Sequence, residues 1–491
     1  MHNQSTIYSQ QNPQLQQLFE QAGNSRKILC APLDYAKAHH TTLFCNALGD
    51  ILKKPFSVPN CAEGAQRLLE EVKKTAHHSG ISLKHVFFGG EDLPSYAQNF
   101  VQRLHQEGYL VLRVNAWEAK RKRENYQASS DQLDLLGIAK ALLDRRGQPA
   151  ATSDSIHQNL REITRARRRF VHEQSGLKNR IHTYVDRLFP GFLGTSSPVG
   201  AFSKVSLQLM EKDFSAAQIA SKKPSALTKR LQQYGQADAQ ETVRQLQTLA
   251  ASALHCSLEQ RLIWQHSLYC HVQLFNKVEE LILTEAKEGA AWLAQSPGAF
   301  LTSIRGIGVV LAAGLTAELG HPWRGLSSLC SYCGIVPSSK QTGGPDQPAQ
   351  TGHVRRRCNR IAKDWLVQSA NKIGLLGPEE LQQQYQQLKD NGQHADFVMA
   401  KRYLRIGKDL MHRQALYLPK ALFQKESSAT ERAAYYLKLW PTLLNKWRPL
   451  ASPEIVFSAK NPLGQWRQMV QEAYNISLPL SAQPPQSDAN Q

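Results

Sequence analysis

Apolar positions between residues 27 and 147 alternate between two periods. RKILCAPLD, with Ile28, Leu29 and Leu33, predicts a buried strand ending on Asp34. HTTLFCNA (40–47) and KPFSVPN (54–60) predict two more strands. Residues 62–77 place Ala65, Leu68, Leu69 and Val72 on one helical face. HVFFGGE (85–91) is a short apolar run that ends on Glu91, and YAQNFVQRLHQEG (96–108) is a helix stopped by Gly108. YLVLRVN (109–115) is a fifth strand, and DQLDLLGIAKALLDRRG (131–147) is a helix closed by Gly147. Three strands able to form a meander, followed by alternating helix and strand, predict a mixed α/β sheet.

Beyond residue 150 the pattern becomes that of long helices. Ile156, Leu160, Ile163, Arg167, Phe170, Gln174, Leu177, Ile181, Tyr184 and Leu188 alternate steps of four and three, as a coiled-coil seam requires. FPGF (189–192) ends that helix. A second helical stretch covers 237–290, with Leu246, Leu249, Leu262, Leu274, Val278 and Leu281 as core candidates. The two stretches can pair within one chain or between protomers. The expected organisation is a polar lead-in (1–26), an α/β domain (27–150), a helical coiled-coil region (151–295), a mostly helical domain with a Gly-rich loop (296–420), a Trp-containing helical extension (421–475) and a Pro/Gln/Ser-rich disordered tail (476–491).

Composition adds a partner class. The 491 residues hold 59 Lys and Arg against 40 Asp and Glu, a formal net charge of +19, which favours a polyanion such as nucleic acid. Eight cysteines form no dense framework in so long a chain, the N-terminus lacks a basic-then-apolar signal, and no run is long enough to span a bilayer. A cytoplasmic protein is expected, with no membrane partner.

Four acids stand out. Asp34 and Glu91 end predicted strands, while Asp131 and Asp134 open a helix at i and i+3, so the pair shares a face. Carboxylates converging at one sheet edge suit hard divalent cations, and such ions stabilise attacking and leaving oxygens in phosphodiester cleavage. Taken singly, Asp131 and Asp134 are also favourable charges at a helix N-terminus, and Asp34 is an ordinary turn residue.

The strand and helix order is the one expected of the ribonuclease H-like fold, and the motifs on it resemble the DEDD transposases of insertion sequences, the family of the Piv invertase and the bridge-RNA-guided recombinases. The matching features run in order: LCAPLD, then GGEDLPSY with Glu91 five residues before Tyr96, then Val114-Asn115, then SSDQLDLLGIAKALL, then the Arg-rich REITRARRRFVHEQSGLKNRIHTYVDRLFPGF (161–192). The resemblance covers roughly residues 27–415. It implies a RuvC-like catalytic domain with Asp34, Glu91, Asp131 and Asp134 binding Mg²⁺ or Mn²⁺, and a C-terminal transposase domain.

LTSIRGIGVVLAAGLTAELG (301–320) places Gly306 and Gly308 at a predicted helix start, a helix-hairpin-helix-like phosphate contact or a tight helix–helix turn. LCSYCGIVPSSKQTGGPDQPAQTGHVRRRCNR is similar to the family's second motif region, with Tyr332, Gly334 and Pro337 in the first part and Arg355, Arg356, Arg357, Asn359 and Arg360 in the last. The family's proposed nucleophile is a serine before the loop glycine. This chain has Thr342 there, with Ser338 and Ser339 slightly earlier. Three outcomes stay open: Thr342 attacks, Ser339 or Ser338 attacks, or covalent chemistry is lost. Cys330, Cys333, His353 and Cys358 are read as structural rather than as a zinc site.

Basic candidates for nucleic-acid contact are Lys120 to Arg123, then Arg165, Arg167, Arg168, Arg169, Lys178 and Arg180, and then Arg355, Arg356, Arg357 and Arg360. The reading is a transposase or site-specific recombinase acting on double-stranded DNA, an enzyme located in the bacterial cytoplasm at the nucleoid. The resemblance implies a covalent hydroxyl–phosphate intermediate, a structured guide RNA and a homo-oligomer, dimer or tetramer, that shares composite sites. The alternatives are a RuvC-like junction endonuclease using water and a decayed, non-enzymatic nucleic-acid-binding transposase.

Overall fold

Successive residues of the strand Leu29–Tyr35 (β1) enter two different cores, because side chains alternate across a sheet. Leu29, Ala31 and Leu33 pack with the helices Ala62–His78 and Gln98–Gln106, whereas Cys30 packs with Pro13–Ala22 and Asp131–Leu143. In chain order these helices are α1 (Pro13–Ala22), α2 (Ala62–His78), α3 (Gln98–Gln106), α4 (Ala116–Lys122) and α5 (Asp131–Leu143). The computed structural model describes residues 11–91, 95–123, 131–149, 156–320, 325–340, 350–354, 358–423 and 428–481. It divides into two compact units, Met1–Gln158 and Asn159–Gln491.

In the first unit, β2 (His39–Asn46) and β3 (Ile51–Pro59) form an antiparallel meander with β1. On the other side of β1 lie β4 (Val86–Glu91) and β5 (Leu110–Val114), both parallel to it, and the two-residue β6 (Gln148–Pro149), antiparallel to β5. The order is β3-β2-β1-β4-β5-β6. This is the mixed sheet expected of a ribonuclease H-like domain, with helices on both faces.

Three elements depart from expectation, one of them the short β6. Part of the polar lead-in is helix α1: Asn12 caps it by accepting from the Gln14 and Leu15 amides, Pro13 begins it, and Gly23 ends it at φ 64°. Its buried Leu15 and Leu18 join the core under β1, enough to dock a helix that is otherwise Gln-rich. The third departure is α4, which follows β5 at once, with Asn115 as its N-cap.

In the second unit, α6 (Ile156–Leu188) is continuous over the expected heptad stretch. It is followed by α7 (Lys204–Glu211), α8 (Ala216–Ser221), α9 (Pro224–Gln233), α10 (Ala239–Ser252) and α11 (Leu258–Ala294). Leu177, Ile181 and Leu188 of α6 share one core with Leu246 of α10 and with Leu268, Val272 and Phe275 of α11, so the two helical stretches meet within one chain. Leu262 and Leu274, expected in the core, are exposed, because the buried face of α11 runs through Leu268, Val272 and Phe275 instead.

Next come a 3-10 stretch, Pro297–Ser303, then α12 (Val309–Leu319) and α13 (Leu326–Tyr332), and a hairpin of β7 (Pro337–Lys340) and β8 (Gln350–Val354). The helices α14 (Arg360–Leu376), α15 (Glu379–Asp390), α16 (Ala395–Arg413), α17 (Lys420–Phe423), α18 (Ala429–Trp447), α19 (Pro453–Val456) and α20 (Pro462–Tyr474) complete it. The extension is bound into this unit. Trp447 is fully buried and donates from Nε1 to Thr302 Oγ1 (3.1 Å), and Lys446 Nζ donates to the Thr302 and Ile304 carbonyls (2.5 and 2.9 Å).

The start of the expected disordered tail is also docked. Leu478 is buried, and the carbonyls of Leu478 and Pro479 accept from Arg467 Nε and Trp440 Nε1. One buried leucine and two charged or indole donors outweigh the polar composition around them. No helix among the described residues is long and apolar enough to cross a membrane.

Candidate active site

Strand parity decides which way the first two acids face. Leu33 pairs with Gly90 across the parallel β1–β4 ladder, so Asp34 and Glu91 are the next step: Glu91 is the last residue of β4, while β1 runs one residue beyond Asp34, to Tyr35, rather than ending on the acid as expected. Asp34 has the parity of Cys30, and Glu91 that of Phe87. Both of those residues belong to the core that α5 covers, so the two acids lie on the α5 side of the sheet. Gly89 lets α5 come close: a Cβ there would stand 2.5 Å from a Leu142 methyl. On the opposite face, a Cβ at Gly90 would lie 2.5 Å from the Leu33 carbonyl oxygen and closer still to the Tyr35 ring.

Asp131 is the first residue of α5, and Asp134 follows one turn later. The side chain of Asp131 lies outside the described ones. Glu91 and Asp134 are brought together by Arg123, which caps the C-terminus of α4. Its Nη2 pairs with Asp134 Oδ1 and stands 4.0 Å from Glu91 Oε1. The arginine side chain is only 11% exposed, against 30% for Glu91 and 21% for Asp134. Gly137 makes room for it: a Cβ at that position would stand 2.5 Å from the Ala119 carbonyl and 3.1 Å from Arg123 Cγ.

The donor chemistry suits a divalent ion. The four groups are carboxylates, the hard oxygen ligands that Mg²⁺ and Mn²⁺ accept, and Glu91 Oε1 and Asp134 Oδ1 are both buried. Among the described residues, no three His, Cys, Asp or Glu groups stand close enough together to complete a metal site. The cation between Glu91 and Asp134 is the guanidinium.

The other candidate residues lie in the second unit. Gly306 takes φ +89°, and a Cβ there would sit 2.7 Å from the Lys372 carbonyl. Gly308 is the N-cap residue of α12, so the Gly-x-Gly turn stands at a helix start as expected. Ser338 and Ser339 lie in strand β7 rather than in a loop, with Ser339 opposite Thr351. Thr342, Arg355, Arg356 and Arg357 lie outside the described residues. Arg360 is the first residue of α14, whose N-cap Asn359 accepts from the Ala362 amide (3.0 Å).

Beside that hairpin is a polar cluster that sequence reasoning missed. Glu318 of α12, with its side chain fully buried, accepts two bonds from Arg165 of α6 (2.7 and 3.0 Å) and one from Asn359 Nδ2 (2.8 Å). Asn359 Nδ2 also donates to the Tyr332 hydroxyl (2.7 Å). Burial raises the Glu318 carboxyl pKa, but the bonds from Arg165 and Asn359 outweigh that, and the net direction is down. Buried acids carry no periodic signal, and Glu318 sits in an otherwise apolar run.

The basic residues of α6 therefore divide. Arg165 is held by Glu318, and Arg168 pairs with Asp364. Arg167 is half-buried, and burial lowers its pKa. Lys178 lies over the Phe202 and Phe275 rings at 5.4 and 5.8 Å. Arg169 and Arg180 are exposed. Cys330 and Cys333 are buried, and burial pushes the Cys333 thiol up to about 12, so it is protonated near neutrality.

Two family models match the chain. Residues 31–190 match the IS110-type DEDD transposase model, described as a transposase. Residues 298–386 match the model described as the transposase IS116/IS110/IS902 family. Together they span about half of the chain, one on each side of the α7–α11 helices. No curated protein matches the sequence.

Proposed function

Since the chain belongs to the IS110-type DEDD transposases, we propose that it cleaves and rejoins double-stranded DNA at the ends and target of an insertion sequence, using Asp34, Glu91, Asp131 and Asp134 to hold Mg²⁺ or Mn²⁺. The observation that carries this reading is the convergence of Glu91 and Asp134 on one cation at the end of the sheet where Asp34 lies next to last in β1. Held by these four carboxylates, divalent ions would polarise the scissile phosphate and stabilise the charge that develops on it.

The attacking group is the Thr342 hydroxyl, with Ser339 or Ser338 as the alternative. Its oxygen bonds to phosphorus as the bond to O3′ breaks, and the hydroxyl proton passes overall to the departing O3′. The freed 3′-OH later reverses the link. Support for a hydroxyl at this place comes from its position between the Tyr332–Gly334 segment and Asn359 in the region matched by the second family model.

Exposed Arg169 and Arg180 contact phosphates. A structured guide RNA supplies target choice, and the protein acts as a homo-oligomer in the bacterial cytoplasm at the nucleoid. Leu258, Leu262, Ile263 and Leu274, exposed on α11, support assembly through that helix.

Trapping the protein–DNA adduct tests the chemistry. The full chain is incubated with an element-end duplex and the element's flanking RNA. Wild type is expected to form an adduct that Thr342→Ala abolishes and that Ser338→Ala and Ser339→Ala retain. Cleavage without any adduct would instead identify a water-using, junction-type endonuclease. No activity in wild type, with DNA binding intact, would identify a decayed transposase.

A further inference from the structure

We propose that Arg123 is a built-in counter-cation, which holds the Glu91–Asp134 pair in the metal-free protein and must withdraw for a divalent ion to bind. The inference rests on the metal reading of the four acids given above. Its support is geometric. Arg123 is the last basic residue of the Lys120–Arg123 run, placed at the end of α4, and its guanidinium enters the acid cluster rather than solvent. Lys122, its neighbour, pairs with Asp144, and Arg121 lies over the Trp117 ring at 4.7 Å.

The path for the Arg123 side chain is made by a glycine. Gly137 is one turn beyond Asp134 on α5, and a Cβ there would press on Arg123 Cγ and on the Ala119 carbonyl. The stem crosses α5 at Gly137, and the head reaches Asp134 and Glu91.

Electrostatics explains why a cation is needed. Carboxylates gathered at a partly buried edge repel one another, and each is costly to bury unpaired. A guanidinium supplies charge and fixed geometry without a metal. It also occupies the space between Glu91 and Asp134, so guanidinium and divalent ion compete for the same oxygens. Tethering on the short helix α4 lets the arginine leave by moving one side chain, without reordering the sheet. Once displaced, it stays at the rim beside Lys120 and Arg121, where DNA phosphates are the available anions. Loading of the metal and capture of DNA are thereby coupled: each favours the arginine-out state.

The test is a Mn²⁺ titration of the full chain by calorimetry, with thermal unfolding recorded with and without Mg²⁺. Asp134→Asn serves as the background for binding elsewhere. Arg123→Gln is expected to bind Mn²⁺ about tenfold tighter than wild type, to melt lower than wild type without metal, and to gain more from Mg²⁺. Arg123→Lys, which keeps the charge but not the fork, is expected to fall between the two and provides the comparison if the glutamine variant does not fold. Equal or weaker Mn²⁺ binding by the folded variants overturns the competition while leaving the metal site standing. No Mn²⁺ binding above the Asp134→Asn background, in any of the proteins, overturns the metal site and this inference with it.

Discussion

Arg165 of α6 and Glu318 of α12 form a two-bond ion pair in which the acid is fully buried, so the Arg-rich helix is fastened to the C-terminal transposase region at a buried carboxylate, with the Arg168–Asp364 pair beside it in sequence. Removing the arginine leaves a buried charge that keeps the Asn359 hydrogen bond and the weaker attraction of Arg161. Arg165→Met is therefore expected to destabilise the protein by on the order of 3 kcal/mol, read as a lower urea midpoint. The sign with pH follows from the lowered Glu318 pKa. Its contribution is fully present above the ordinary carboxylate range and is lost as pH falls through the depressed folded value. The Arg165→Met difference should accordingly shrink in acid.

The same pairing separates an arginine that fastens from arginines left exposed. Arg169 and Arg180 are exposed. Alanine at either should leave the melting temperature unchanged and lower the slope of log affinity against log salt by about one for duplex DNA. Arg165→Met, in contrast, should change stability with little change in slope. A slope change as large as that of Arg169→Ala would place the Arg165 guanidinium on phosphate.

Lys446 gives a pH signature of the same sense in a higher pH window. Burial lowers its ammonium pKa from 10.5 to about 8. Between those values the unfolded chain binds the proton and the folded chain does not, so stability rises with pH there, by up to about 1.4 kcal/mol per pH unit. Lys446→Met should flatten the rise between pH 8 and 10.5 relative to wild type. Denaturant unfolding at three pH values would show it.

Gly306 is held at φ +89° against the Lys372 carbonyl. Alanine there combines a left-handed backbone with a clash against main chain, a cost of about 1–3 kcal/mol. Gly308→Ala, at a position with open space around it and φ −91°, should cost less. Equal loss at the two positions would contradict this reading of the turn.

Much of the first unit was legible because its strands are short apolar runs ended by acids, glycines or helix signals. The five main strands and the helices α2, α3 and α5 lie where periodicity placed them, within a few residues at their ends. The missed elements share a cause. In α1 only Leu15, Leu18 and Phe19 stand among ten mostly polar residues, although its caps at Asn12 and Gly23 were readable. With seven residues, α4 is too short to show a period, and α7 to α9, of six to ten residues, are little better. Leu262 and Leu274 look like core residues in the sequence because an apolar residue on a helix does not declare its face when the helix is apolar on several sides.

At the site, residue type and order exposed the acids, but not what lies between them. Sequence alone puts Arg123, like Arg165 and Arg168, in basic runs expected to contact phosphate. Their partners Asp134, Glu318 and Asp364 are respectively 11, 153 and 196 residues away in sequence. Such pairings depend on tertiary packing, which local periodicity does not encode.

The most direct test of the central claim is strand cleavage of an element-end duplex, with the element's flanking RNA, across a Mg²⁺ titration for wild type, Asp34→Asn and Asp134→Asn. Each substitution removes one charge from the proposed metal site while keeping size and strand or helix context. The account predicts Mg²⁺-dependent cleavage by wild type and a loss of at least about 100-fold in both variants, with their folding and DNA binding retained. Cleavage at the wild-type rate by either folded variant, or undiminished cleavage in chelator, would contradict it.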